Sequence, residues 1–168
     1  TGRPGPVWLD IPLDIQSKLI SPDECTSFKP KKQNRVKKDL LKKQVGKCIT
    51  LLKKSERPVL ISGYGIRLSN GENEFLQLIE RLGFPVISSW TSSDLVSSSH
   101  ELSIGRSGIS GDRAGNFTVQ NSDLLLSVGS RLSVPQVGYN FPLFARAAKK
   151  IIVDIDSVEL KKPSLKPD

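Results

Sequence analysis

Residues 58–65, PVLISGYG, decide the fold of this chain. The apolar run VLI is followed at once by a serine and then by Gly63 and Gly65. A short, continuous apolar run that ends in glycines is typical of a strand buried on both faces of a parallel sheet. The stretch therefore predicts a β-strand that is buried on both faces and has a glycine turn at its carboxyl end.

Strands and helices alternate along the chain after this stretch. Further strands are predicted over 84–90 (FPVISSW), 123–130 (DLLLSVGS) and 149–156 (KKIIVDID). Apolar spacing predicts helices over 71–83 with Gly83 as a left-handed cap, after Asp112 as N-cap, and over 141–150. Strand–helix–strand units with such short connections make neighbouring strands parallel and place helices on both faces of the sheet. The predicted fold class is α/β, a doubly wound parallel sheet.

The first segment, TGRPGPVWLDIPLDIQ (1–16), reads as a further strand for which this sequence provides no obvious neighbour. Burying four of its apolar side chains yields about 8 kcal/mol. Ordering its ten residues costs on the order of 10 to 20 kcal/mol. We therefore expect it to need hydrogen-bonding partners, on the surface of its own domain or in a neighbouring molecule.

Positive charge is concentrated in one region. Residues 29–57 contain twelve basic and two acidic residues, a net charge of +10, whereas the other residues sum to −2. The pattern predicts a basic linker and an amphipathic helix with an apolar stripe formed by Val36, Leu40, Leu41, Val45, Cys48, Ile49 and Leu52. Aromatic residues that could stack on bases are lacking there, which favours a solvated lysine face over nucleic-acid binding.

The sequence offers little catalytic or metal-binding chemistry. Cys25 and Cys48 lack CxxC spacing, and Cys48 is predicted to be a buried free thiol. His100, the single histidine, lies in a serine-rich segment without a GxSxG elbow and is interpreted as a mobile surface residue. No run resembles a membrane helix or a signal peptide, so we expect a cytoplasmic location and no membrane partner.

The predicted strands end in glycine or small polar residues, and such ends converge on one pocket in doubly wound sheets. Gly63 and Gly65 would let a backbone approach phosphates, and the helix after Gly111 would present N–H groups to an anion. Leu68 occupies the position of the third glycine in GxGxxG, which argues against an ordinary dinucleotide site. Arg131 would meet a phosphate or a ring, or else form a surface ion pair.

Asp154 and Asp156 end the last predicted strand. A carboxylate at this place commonly accepts hydrogen bonds from a ribose hydroxyl or an adenine amine. Capping of a helix, with exposure to solvent, is the alternative interpretation for both.

Several stretches in this order resemble one known family. GPVWLDIP, RPVLISGYGI, NSDLLLSVGSR and VDIDSVELKK are similar to the end of the pyrimidine-binding domain and to the central domain of thiamine diphosphate-dependent enzymes of the acetolactate (acetohydroxyacid) synthase type. The resemblance implies that residues 1–30 are the last strand of the preceding domain and a linker. Residues 31–168 would be the Rossmann-like central domain, which binds nucleotide or FAD in part of the family.

For the whole enzyme the resemblance implies thiamine diphosphate and magnesium, joining or cleavage of 2-keto acids, and a homo-oligomer. The glutamate that activates the cofactor and the GDG segment that holds magnesium would lie in the other two domains, so no catalytic or metal residue is expected here. The central domain would hold FAD, ADP or neither. By the motif match the contacts fall on Gly63, Gly65, Ser89, Thr91, Gly108, Ser110, Gly111, Gly129, Arg131, Asp154, Asp156 and Ser157.

Two departures from the family pattern concern the flavin contacts. Tyr64 stands where flavin binders often carry glycine, and residues 132–135, LSVP, replace a charged continuation after the arginine. Two alternatives to the enzyme fragment are a free-standing nucleotide-binding module of the electron-transfer flavoprotein type and a basic nucleic-acid-binding protein.

Overall fold

A computed structural model describes residue 3, residues 5–29 and residues 37–168. The chain divides into two units, residues 1–36 and 37–168. The predicted domain boundary between residues 30 and 31, and Val36 of the predicted stripe, lie outside the described residues. Within the described part, no helix is both long and apolar enough to span a bilayer.

The first unit does not contain the predicted strand. Residues 5–12 have no regular secondary structure, and the chain then forms helix α1 (Leu13–Gln16) and a short 3-10 helix (Pro22–Glu24). No strand occurs among the described residues of this unit, which agrees with the need of such a segment for hydrogen bonds to a neighbouring strand. Its assignment as the last strand of a preceding domain stays a prediction.

In the described part of the second unit, five parallel strands form one sheet in the order β3-β2-β1-β4-β5. Their bounds are β1 Pro58–Ser62, β2 Val86–Ser88, β3 Ser103–Arg106, β4 Leu124–Val128 and β5 Lys149–Val153. β1 pairs with β4 in the register Leu60–Leu126 and with β2 in the register Leu60–Val86. The doubly wound parallel sheet is therefore confirmed, with β1 at its centre.

Helices connect these strands. The longer ones are α2 (Lys38–Leu52), α4 (Glu72–Leu82) and α5 (Arg113–Gln120), with short helices α3 (Gly65–Leu68) and α6 (Val134–Val137). Gly83 ends α4 at φ 62°, the predicted left-handed cap. Short 3-10 helices cover Trp90–Ser92, Phe141–Leu143 and Glu159–Lys161.

Successive side chains along the strands pack alternately into two apolar clusters, one on each face of the sheet. Val59 and Ile61 pack in one cluster with Val119 of α5, whereas Leu60 packs in the other with Phe75 and Ile79 of α4. Leu60 and Ile61 are fully buried. This two-sided burial explains the continuous apolar runs in the strand sequences.

Two elements differ from the prediction. β3 was missed because its sequence, SIGR, carries only one large apolar residue, which suffices for a short strand at the edge of the sheet. The helix predicted over 141–150 is only the 3-10 turn noted above. Ala145 has a φ of 44°, which a right-handed helix excludes, and β5 begins at Lys149.

The predicted amphipathic helix is α2, and only part of its stripe is buried. Cys48 and Leu52, together with Leu51, pack on the cluster that contains Leu60. The other members of the stripe are about half exposed: Leu40, Leu41, Val45 and Ile49. Cys48 is partly buried and unpaired, and Cys25 is an exposed free thiol.

Asp123 ties the amino ends of β1 and β4 together. Its carboxylate accepts hydrogen bonds from the amides of Glu56 (2.7 Å) and Arg57 (2.9 Å). Partial burial acts to raise the pKa of Asp123, but the two amide hydrogen bonds and the Arg57 charge outweigh it, and the pKa is lowered. The ionised carboxylate therefore stabilises the start of the central strand pair.

Replacing Asp123→Ala should lower the free energy of unfolding by roughly 0.5–1.5 kcal/mol, because two exposed amides exchange a charged acceptor for water. Since the folded pKa is depressed, the stabilisation by the charge is complete above the ordinary carboxyl pKa of about 3.9 and is lost as the pH falls through the lower folded value. Urea unfolding of the wild type and of Asp123→Asn, from neutral pH down through these pKa values, measures this pH-dependent difference in stability. A stability difference that does not shrink on acidification would contradict the assignment.

Candidate functional site

The sequence-predicted site residues all follow the carboxyl ends of strands. Gly63 and Gly65 follow β1, Ser89 and Thr91 follow β2, Gly108, Ser110 and Gly111 follow β3, Gly129 and Arg131 follow β4, and Asp154, Asp156 and Ser157 follow β5. Because the strands are parallel, these ends share one edge of the sheet, which we call the carboxyl rim. The chain winds outward in opposite directions from β1 and β4, so the switch point lies between these two strands.

Glycines at the switch point let two turns touch. The amide of Gly65 donates to the carbonyl of Gly129 over 2.9 Å, and Gly129 adopts a φ of 61°. A Cβ atom on Gly65 would lie 2.8 Å from the Cα of Gly129, and one on Gly63 would overlap the Gly129 carbonyl. Glycine is therefore required at these three positions for a structural reason, because the two backbone turns approach each other closely. Contact with a ligand phosphate remains a prediction for them.

The glycine loop after β3 is held by its own neighbours. Asn116 accepts from the Gly108 amide (2.8 Å) and donates to the Gly108 carbonyl (3.1 Å). The amide of Ile109 donates to Pro135, and that of Gly111 donates back to Gly108. The amides of Gly108, Ile109 and Gly111 are thus engaged inside the protein, and the loop is fixed against the turn after β4.

Asp112 precedes α5 as predicted, but its side chain makes no hydrogen bond to the helix amides. Its Oδ2 atom instead accepts from the amide of Arg106 (2.9 Å), and the Arg106 Nε lies 3.6 Å away. A Cβ atom on Gly105 would come within 2.5 Å of the same oxygen. The predicted side-chain cap was wrong because a stronger partner lies at the end of β3.

The turn after β2 is built on buried serines. Ser92, which is fully buried, donates to the carbonyl of Ser62 (2.8 Å) and accepts from the amide of Ser89 (3.0 Å). The hydroxyls of Ser89 and Thr91 lie 3.5 Å apart on the more exposed side of this turn. The buried hydroxyls thus anchor β2 to β1 and leave Thr91 at the rim.

Charged residues at the rim already have protein partners. Arg131 Nε lies 2.7 Å from Glu159 Oε1, which favours the ion-pair alternative for this arginine in the structure as it stands. Asp154 accepts from the amide of Asp156 and Asp156 from that of Val158, both over 2.9 Å. Each aspartate therefore shapes its own turn, whereas the alternative considered for the sequence was the capping of a helix.

Two polar groups near the rim were missed by the sequence reasoning. Among the described residues, the buried Ser107 Oγ and Gln136 Nε2 atoms have no hydrogen-bond partner, although Gln136 Oε1 accepts from Ser130 (3.0 Å). A Cβ atom on Gly108 would lie 2.8 Å from the Cα of Gln136, so the loops after β3 and β4 meet here. Neither residue stands in a recognisable motif, and only the tertiary contact reveals them.

His100 has partners in the fold. Its Nε2 lies 2.9 Å from Glu80 Oε1, and its Nδ1 accepts from the Leu102 amide. No group of three or more potential metal ligands occurs among the described residues. A cleft of about 600 Å³ lies at the opposite edge of the sheet, beside Pro58 and Phe84.

A doubly wound parallel sheet with its polar loops gathered at the carboxyl rim defines an α/β domain of the class that takes ligands at a topological switch point. Comparison with known families matches residues 45–166 to the family described as "Thiamine pyrophosphate enzyme, central domain". The chain belongs to this family, as its resemblance to such enzymes implied.

The chain is similar to acetolactate synthases along nearly its whole length. It is 34% identical to the probable acetolactate synthase large subunit of Methanococcus aeolicus, over 96% of this chain and 27% of that protein. It is 35% identical to the chloroplastic acetolactate synthase 3 of Brassica napus, over 96% of this chain and 24% of that protein. The chain thus spans about a quarter of the length of these relatives.

Substituting Gly63→Ala should destabilise the domain by roughly 1–3 kcal/mol, because the new methyl group overlaps rigid backbone. Gly46→Ala is the matched control, since nothing lies within 4 Å of a Cβ at that position in α2. We expect the control to be neutral or stabilising, as alanine favours helix. Thermal unfolding of both variants measures the difference, and equal melting temperatures would refute the close-approach role.

Proposed function

We propose that this chain is the central domain of a thiamine diphosphate-dependent enzyme of the acetolactate synthase type, which joins or cleaves 2-keto acids. The observation that carries the proposal is the match to acetolactate synthases over 96% of the chain, together with the family match to a central domain. The partners of this domain are then a pyrimidine-binding and a diphosphate-binding domain. The whole enzyme is proposed to be a cytoplasmic homo-oligomer.

The residues of this chain do not fit thiamine diphosphate and magnesium. The sequence has no GDG segment, and its nearest approach is Gly111-Asp112-Arg113. Asp112 is engaged with the Arg106 amide, and no cluster of potential metal ligands occurs in the described parts of the chain. We therefore assign the keto-acid chemistry to the other domains and expect this chain alone to be inactive.

At the carboxyl rim we propose a site for FAD or ADP. Three buried side-chain atoms among the described residues lack a hydrogen-bond partner, and two of them, Ser107 Oγ and Gln136 Nε2, belong to the loops at this rim. These two support the proposal, because buried polar groups normally have partners. A nucleotide hydroxyl or phosphate, or an ordered water beside it, would supply these partners. The side chain of Arg131 is 63% exposed beyond its contact with Glu159 and is the cation available for a phosphate.

Other rim residues would complete this site. Asp154 and Asp156 each use one carboxylate oxygen in the turn after β5, which leaves the second oxygen to accept from ribose or an adenine amine. Tyr64 is about half exposed after β1, where its ring narrows the approach that a flavin would use. The crowding at Tyr64 makes ADP the better-fitting of the two nucleotides.

The proposal predicts that ADP, but not thiamine diphosphate with Mg²⁺, raises the melting temperature of this chain. Both ligands carry a diphosphate, so the second is the matched control for unspecific anion binding. At about 100 times the dissociation constant, a bound ligand adds about 2.7 kcal/mol of stability, a shift of several degrees. FAD is tested in parallel by quenching of its fluorescence.

Two results would count against this assignment. An unchanged melting temperature with ADP and with FAD, at millimolar ligand, would contradict nucleotide binding and indicate a spacer domain. Stabilisation by thiamine diphosphate and Mg²⁺ would contradict the assignment of thiamine diphosphate binding to the other domains.

A further inference from the structure

Arg131, Glu159 and Lys162 form a hydrogen-bonded cluster that joins two loops of the carboxyl rim. Arg131 Nε lies 2.7 Å from Glu159 Oε1, and Lys162 Nζ lies 3.2 Å from Glu159 Oε2. Lys162 also donates to the backbone carbonyls of Arg131 and of Leu132, the latter over 3.2 Å. The turn after β5 thereby holds both the side chain and the backbone of the arginine that follows β4.

The three side chains differ in exposure. Those of Glu159 and Lys162 are only 13% and 19% exposed, whereas that of Arg131 is 63% exposed. Each carboxylate oxygen of Glu159 faces one cation, which compensates the cost of withdrawing the charge from water. With two cations and one anion the cluster keeps a net charge of +1, and its exposed part is the arginine.

The backbone at this point is also constrained. Leu132, directly after Arg131, has a φ of 50° and is 3% exposed, so the chain turns sharply into the core. A non-glycine residue in this region persists only where its surroundings enforce it. The two carbonyls that flank the turn are those to which Lys162 donates. The backbone from which the Arg131 side chain projects is thus held in a fixed position at the rim.

We propose that Glu159 and Lys162 are positioning residues that hold the guanidinium of Arg131 ready for the anionic group of a ligand at the rim, a nucleotide phosphate. The proposal rests on the nucleotide site proposed above. An exposed arginine loses side-chain freedom when it binds an anion, and this loss opposes binding. The contact at Nε removes much of that freedom in advance and leaves the outer guanidinium nitrogens available.

A different role for Glu159 predicts the opposite result. If its carboxylate only competed with the ligand for Arg131, its removal would strengthen ADP binding, since a negative charge near the phosphate would also be lost. If it positions Arg131, its removal weakens ADP binding despite that favourable change in charge. The sign of the effect therefore separates the two roles.

The test is the dissociation constant for ADP, measured by calorimetry on the intact chain. Glu159→Ala should weaken binding about three- to tenfold, the cost of immobilising one long side chain. Glu159→Gln should restore binding to near the wild-type value, because its amide oxygen still accepts from Arg131. In an Arg131→Gln background, Glu159→Ala should have no further effect.

Two further variants guard the interpretation. Glu159→Asp replaces Glu159→Ala in the test if the alanine variant fails to fold. It keeps the charge but is one methylene too short to reach Arg131, so it should also weaken ADP binding. Glu56→Ala removes the same charge and an arginine contact, 3.8 Å from Arg57, at the amino end of β1 on the opposite edge of the sheet, and should leave the dissociation constant within about twofold.

The outcomes separate the two proposals. Wild-type protein that binds ADP, with Glu159→Ala and Glu159→Asp that bind as tightly or more tightly, would overturn the positioning role alone. Wild-type protein that binds neither ADP nor FAD would overturn both proposals. Additive effects of the Glu159 and Arg131 substitutions would show that Glu159 does not act through Arg131.

Discussion

The contact between two backbone turns at the switch point is the constraint on which the rest of this domain depends. β1 and β4 lie side by side, and the turns that leave them meet at Gly63, Gly65 and Gly129. With any larger residue at these positions the turns would separate and the two halves of the sheet could not keep their register. The glycines thus set the spacing of the whole carboxyl rim.

From that contact outward, each loop of the rim is fixed by the next. The β3 loop is clamped by Asn116 and by Pro135 of the β4 loop, and the β4 loop is held by Lys162 from the turn after β5. Such a chain of hydrogen bonds makes the rim a preorganised surface and not a set of independent flexible loops. A preorganised polar edge without catalytic groups suits a domain that holds a ligand or spaces its neighbours.

The structure gives several predicted site residues a second explanation. Glycines that a motif match assigns to phosphate binding also allow backbone packing, and Asp154 and Asp156 also shape their own turn. Sequence similarity cannot separate the two explanations, because both require the same residue at the same place. The unsatisfied groups of Ser107 and Gln136 have no such structural partner, which makes them the more informative pointers to a ligand.

The sequence by itself determined the class of fold, the strands β1, β2, β4 and β5, and the family, because continuous apolar runs and glycine-tipped strand ends are local features. It could not reveal β3, which is a short edge strand with little to bury, or the absent helix after Phe141, which a backbone turn at Ala145 prevents. Only the tertiary structure decided that the Asp112 carboxylate accepts from the Arg106 amide at the end of β3 and that Arg131 is held by Glu159. These partners are distant along the chain, and no local pattern records which hydrogen bond wins when several are possible.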